Sequence, residues 1–205
     1  NECVGGLDQM TVAISGGSGL VSYQWQSSTD GNAPWANAVG TGSTTNTFTP
    51  PSVTPGTTYY RVLVNATGSD CQQAVSSVVT AIIIPDITVT TQPTNVNECV
   101  GGLDQMTVAI SGGSGLISYQ WQSSTTGAEP WANAIGTGST TNTFTPPSAT
   151  PGTTYYRVLV NASNSDCQQA VSSVVTAIII PDITVTTQPT NVNECVGGLD
   201  QMTVA

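Results

Sequence analysis

Met10-Thr11-Val12-Ala13-Ile14, then Gly16-Gly17-Ser18-Gly19, then Tyr23-Gln24-Trp25-Gln26 and Asp30-Gly31 form two alternating runs, each closed by residues that turn the chain. Alternation with a period of two puts apolar side chains on one face of a half-buried strand. The pattern extends outward. Residues 45–49 carry Phe48 and are stopped by Pro50-Pro51; Pro55-Gly56 introduces a strand at 59–64; a last strand covers about 74–84, and Pro85-Asp86 leads straight into Ile87-Thr88-Val89-Thr90-Thr91. No stretch shows a helical period with caps. The expectation is an all-β fold of antiparallel sandwiches, seven to nine strands in each.

The chain repeats itself. Asn1-Glu2-Cys3-Val4-Gly5-Gly6 returns at Asn97 and again at Asn193, a period of 96 residues, with eight substitutions between the first two copies. Val21 to Ile117, Val39 to Ile135 and Thr67 to Ser163 keep character, whereas Asp30 to Thr126 and Ala33 to Glu129 fall in a turn that solvent tolerates. A period of that length is a small domain, not a solenoid unit. The chain starts at Asn1 without a basic and apolar leader, which fits either a mature chain or a window cut from a longer array.

Composition removes whole classes of function. Two Arg, no Lys, no His and twelve acidic residues give a net charge of −10, so Arg61 and Arg157 alone cannot build a phosphate-binding surface or hold an anionic membrane. General acid–base and nucleophilic catalysis lose His and Lys, their commonest agents, and no carboxylate pair is placed for glycoside hydrolysis. The reading is therefore not an enzyme, with no cofactor, no nucleic acid and no membrane insertion. The apolar run Ala81-Ile82-Ile83-Ile84 ends at Pro85, far short of a membrane span.

Tyr23-Gln24-Trp25-Gln26, Pro55-Gly56-Thr57-Thr58-Tyr59-Tyr60-Arg61-Val62 and Thr91-Gln92-Pro93 resemble immunoglobulin-like modules, in particular those repeated in very large secreted adhesins and gliding-type surface proteins of Bacteroidota. The resemblance covers the whole period. It implies tandem immunoglobulin-like antiparallel β-sandwiches, with Trp25 and Trp121 as buried core tryptophans and Tyr60 and Tyr156 as tyrosine-corner residues. Val12 and Val62 stand where the family's inter-sheet cysteines stand, so packing alone closes the core.

On this topology the first strand of the second domain is about 86–93. The units are then 1–84, an immunoglobulin-like domain lacking its own first strand; 86–180, a complete one; and 182–205, the opening strands of a third. Either the chain is a window on a longer array, or a neighbouring copy completes it by donating a strand.

Cys3, Cys71, Cys99, Cys167 and Cys195 lie in register and have no metal-site spacing, which suits an oxidising extracellular setting. Under the family topology Cys3 lies where the second strand begins and Cys71 in a loop at the opposite end, too far apart for a bond that needs Cα atoms within about 7 Å. The favoured pairing is Cys3 with Cys167, across the domain junction; Cys71, Cys99 and Cys195 would then find partners outside the chain. In-domain pairs Cys3–Cys71 and Cys99–Cys167, and free thiols, remain as alternatives.

Weaker candidates complete the survey. Asp8, Asp70, Asp86 and Glu98, with Asp104, Asp166 and Asp182, are a faint calcium signal at the junctions, Asp70, Asp86, Asp166 and Asp182 above all, without a calcium-loop motif. Trp35 and Trp131 offer a ring for stacking on sugars or for closing a hairpin. Asn65 and Asn161 match the glycosylation acceptor pattern. Two functions follow: a load-bearing, disulfide-stabilised spacer in an extracellular, cell-surface filament or stalk-like adhesin, its partners neighbouring repeats or identical chains; or a multivalent module binding surface glycan or protein.

Overall fold

The computed structural model describes residues 1–17, 19–67, 72–163 and 167–203, and all regular structure among them is strand. The first repeat holds β1 (Glu2–Cys3), β2 (Met10–Thr11), β3 (Val21–Ser28), β4 (Ala36–Asn37), β5 (Thr47–Phe48), β6 (Gly56–Ala66), β7 (Ala74–Val75) and β8 (Val79–Ile84). The second holds β9 (Thr88–Thr91), β10 (Val96–Cys99), β11 (Met106–Thr107), β12 (Ala109–Ser111), β13 (Ile117–Ser124), β14 (Ala132–Asn133), β15 (Thr143–Phe144), β16 (Gly152–Ala162), β17 (Ala170–Val171) and β18 (Val175–Ile180). The expected single strand over 74–84 is two, broken at Ser76, whose hydroxyl is turned inward to accept the Val62 backbone N–H at 3.0 Å.

Each repeat has one large sheet, ordered β1-β8-β6-β3-β4 with β7 on β6 in the first and β10-β18-β16-β13-β14 with β17 on β16 in the second. The other layer is built from short pairs: β2 with β5, and in the second repeat β11 with β15 and β12 with β9. All pairings are antiparallel except β1 on β8 and β10 on β18, which are parallel. The tandem immunoglobulin-like sandwich is thus the observed fold.

Between the layers runs an aromatic stack. Trp121 from β13 stacks on Phe144 from β15 with centroids 5.2 Å apart, and Phe144 leans on Tyr156 from β16 at 5.1 Å. The first repeat has the same set in Trp25, Phe48 and Tyr60. The indole N–H does not stay unpaired: Trp121 Nε1 donates to the Thr141 carbonyl and Trp25 Nε1 to that of Thr45, both at 2.9 Å. Val62 and Val158 sit opposite the tryptophans in register and are fully buried. Val12, expected in the core, is half-buried and packs against its margin, with no strand over it among the described residues; its counterpart Val108 is buried. Within 182–205, expected to hold the opening strands of a third sandwich, the described residues 182–203 form no strand.

Candidate functional site: the junction between repeats

The Cys3 strand is not where the sequence places it. Instead of beginning the second strand, Cys3 ends β1, which lies on the outer edge of the large sheet with Cys3 opposite Ile84 at the end of β8. The cause is a turn of chain between Val96 and Met106 that lets the Asn-Glu-Cys segment pair in parallel with the last strand before crossing to the other layer. Cys3 therefore stands at the pole from which the chain leaves the first repeat.

From there, Pro85 and Asp86 are gripped by two loops of the second repeat. The Gly113 N–H donates to the Pro85 carbonyl at 2.8 Å, and the Asp86 carboxylate accepts the Gln168 N–H at 3.2 Å. Gly112 has φ +77, and a Cβ there would collide with the Asp86 carbonyl, so only glycine allows this approach. Beside them Cys3 and Cys167 form a disulfide with Cα atoms 4.8 Å apart, closing 164 residues of chain.

What aims Cys3 is a small device that recurs with the repeat. The Glu2 carboxylate curls back to accept the Asp8 N–H at 2.8 Å, filling the space where a side chain on Gly6 would be. Gly6 N–H bonds the Cys3 carbonyl at 3.0 Å, Gly5 N–H bonds the Ser52 carbonyl at 3.0 Å, and the Ser52 hydroxyl donates to the Gly6 carbonyl at 2.7 Å. Glu98 with Asp104, and Ser148 with Gly102, build the same turn around Cys99. Sequence reasoning missed Glu2, Gly6 and Ser52 as positioning residues. The threefold return of Glu-Cys-Val-Gly-Gly with an Asp six residues after the Glu was the available signal.

Cys99 occupies, beside Ile180, the place that Cys3 occupies beside Ile84; it is free and exposed, as is Cys195. The in-domain pair Cys99–Cys167 is excluded by the bond Cys167 already makes, and by geometry. Cys99 lies at the Gly152 end of the eleven-residue β16 and Cys167 follows its Ala162 end, about 35 Å away at strand rise. Cys71, Asp70 and Asp166 lie outside the described residues.

The remaining candidates have local partners. Among the described residues, Cys3, Asp86 and Cys167 form a metal-ligand type cluster, but two of its three members are the bonded sulfurs. Asp8 and Asp104 are capped through their backbone N–H, and Asp182 is exposed. Trp35 and Trp131 each carry a guanidinium over the ring, Arg61 and Arg157 at 4.4 Å from the centroids, and those guanidiniums are held by Gln26 and Gln122. That face is closed to a sugar. Asn65 and Asn161 are half-buried and accept hydrogen bonds from Gln73 and Gln169. Burial pushes the Tyr60 and Tyr156 phenols above the ordinary tyrosine range, against a smaller opposing pull from Thr58 and Thr154.

A family model described as "Domain of unknown function (DUF8696)" matches residues 2–85 and again 88–181. No curated protein matches the chain. Among solved structures, the N-terminal eight Ig domains of Down Syndrome Cell Adhesion Molecule match with TM-score 0.53 at 12% identity over 87% of this chain. Extracellular domains 3–5 of Drosophila OTK match at 0.36, 15% and 92%, and titin domains I67–I69 at 0.44, 10% and 88%. This chain spans 23%, 64% and 61% of those three chains, and at such identities the first match speaks for fold alone.

Proposed function

The chain belongs to the DUF8696 family, and we propose that it is a load-bearing structural module of an extracellular surface filament or stalk-like adhesin, of the kind its sequence resembles in Bacteroidota. One observation carries this reading: the Cys3–Cys167 bond crosses from one repeat to the next. Force entering near residue 3 passes through sulfur to residue 167, so nearly all of both sandwiches lies inside a covalent loop and bears no tension. The same bond limits the angle between the repeats, with the Pro85 and Asp86 contacts on its flank.

The period extends the scheme. A further repeat joined after Ile180 in the same way would present its own cysteine to Cys99, and successive loops would overlap along the whole fibre. Its partners are neighbouring repeats of the same chain or identical chains. Trp35 and Trp131, with Arg61 and Arg157 over their rings, offer a glycan no open platform, which favours the spacer over the glycan-binding module.

Single-molecule pulling from the two ends tests this. The 164-residue loop stores about 570 Å of contour length at full extension. The oxidised chain should withhold that length and the reduced chain should release it in steps; equal extension in both states would contradict the load-bearing role.

A further inference from the structure

Three donor atoms of the kind that bind borderline-soft divalent metals meet at the junction. Among the described residues, Cys3 Sγ, Cys167 Sγ and an Asp86 carboxylate oxygen all lie within 4.8 Å of one another, and the Pro85 carbonyl oxygen stands 3.9 Å from Cys3 Sγ. One cysteine belongs to the first repeat, the other to the second, and Asp86 to the chain that joins them. Their separation in sequence hides the set from any spacing motif.

The disulfide is not all that holds the three in place. Cys3 is fixed by the pairing of β1 with β8, by the Val4 N–H donating to the Ile84 carbonyl at 3.1 Å and by the Glu2 turn behind it. Cys167 packs against the core of the second repeat, and the next residue, Gln168, grips the Asp86 carboxylate through its N–H at 3.2 Å. The Pro85 carbonyl is pinned by the Gly113 N–H at 2.8 Å. None of these contacts needs the S–S bond. Once it opens, they leave two thiols and a carboxylate facing one another, with the cysteine Cα atoms 4.8 Å apart.

We propose that the reduced junction is a zinc-binding site, with Cys3, Cys167 and Asp86 as ligands. Zn–S bonds of about 2.3 Å and a Zn–O bond of about 2.0–2.2 Å put tetrahedral ligands about 3.5–3.8 Å from one another. Donors already within 4.8 Å reach that by side-chain rotation. Thiolates favour zinc, and its substitute cobalt(II), over the hard cations calcium and magnesium. The fourth position is left to water or to the Pro85 carbonyl.

The chemistry balances. A phosphine opens the S–S bond and takes oxygen from water; its oxidation to the phosphine oxide supplies two electrons, and two thiols result. Zinc then displaces both thiol protons to solvent and forms two Zn–S bonds and one Zn–O bond. A small-molecule disulfide reverses this: it is reduced to two thiolates, Cys3 and Cys167 are rejoined, and zinc leaves. The junction thus has two closed states, one covalent and one metal-bound, and a chain still reduced has its repeats clamped before the disulfide forms. The site goes beyond the mechanical role and stands whether or not that role holds.

The test uses the full chain with C71S, C99S and C195S, which leaves Cys3 and Cys167 as its cysteines. Reduced with a phosphine, freed of the reagent and kept anaerobic, it should bind one cobalt(II) per chain with the near-ultraviolet absorption of a cobalt thiolate, and zinc should displace the cobalt. The oxidised chain should show no such absorption. D86N keeps an oxygen for the Gln168 N–H but loses the charge, and should weaken binding about tenfold or more; C167S should weaken it about 100-fold or more. Zinc should also slow hydrogen exchange at Gly113 and Gln168 in the reduced chain. A reduced chain without saturable cobalt absorption, affinity that D86N or C167S leaves unchanged, or equal binding by the oxidised chain overturns the proposal.

Discussion

The two repeats differ at eight positions, yet their cores are not equally covered. Met106, Val108 and Val160 are fully buried, whereas Met10, Val12 and Val64 are half-buried; Val175 is 6% exposed and Val79 41%. None of the substituted residues is among these. What differs is β9 and the segment after it, which cover the second repeat, whereas no strand among the described residues takes that place over the first. Burial here therefore follows the strand that precedes a repeat.

That contrast can be broken most forcefully at the tryptophans. Trp121→Ala should cost the second repeat about 3–5 kcal/mol, and Trp25→Ala should cost the first repeat less, because Val12 and Val64 around it are already part-solvated. Denaturant unfolding followed by the surviving tryptophans measures both; a loss below about 1 kcal/mol at Trp121 would remove it from the core. Next in size, a chain extended before Asn1 by a copy of residues 86–96 should gain about 2–4 kcal/mol in its first repeat, from burial of one isoleucine and two valines less the cost of ordering the segment. No gain would show that the missing strand is not what separates the two repeats.

A smaller effect is expected at the turn that aims the cysteines. Gly6→Ala or Gly102→Ala displaces the Glu2 or Glu98 carboxylate from its backbone partner and should cost about 1–2 kcal/mol. Calorimetry of each variant should show the loss in the repeat that carries it. Smallest is the alkaline response. The folded phenols of Tyr60 and Tyr156 titrate above their unfolded values, so their contribution is fully present below about pH 10. It declines above that pH, as the unfolded phenols ionise first, and is lost through the folded values. Stability that is flat to higher pH in the wild type, or unchanged by Tyr156→Phe, would contradict this.

The fold was legible because its signals are local. Alternation around Trp25, the Pro and Gly punctuation and the 96-residue period are all visible without knowing any contact. The core tryptophans and tyrosines came with the family resemblance. Legibility stopped at edge pairing. Nothing in Asn-Glu-Cys-Val says that it will lie parallel on the last strand, because that pairing is made with residues some 80 positions away. The Cys3 strand was misassigned for that reason. Ser52 and Gly6 were passed over on similar grounds: a serine and a glycine carry no chemistry of their own until a loop brings them to Cys3. Val12 was misjudged because its burial depends on a strand outside its own repeat.

The covalent tie across the junction has an unusually clean test, since Arg61 and Arg157 are the chain's two tryptic sites. Digestion without reduction, after alkylation of free thiols, leaves three peptides: 1–61 with Cys3, 62–157 with Cys71 and Cys99, and 158–205 with Cys167 and Cys195. Mass spectrometry should find 1–61 joined to 158–205 through Cys3 and Cys167, with 62–157 released and alkylated at Cys99. Recovery of 62–157 bonded to 158–205 through Cys99 and Cys167, or to 1–61 through Cys71 and Cys3, would contradict the account.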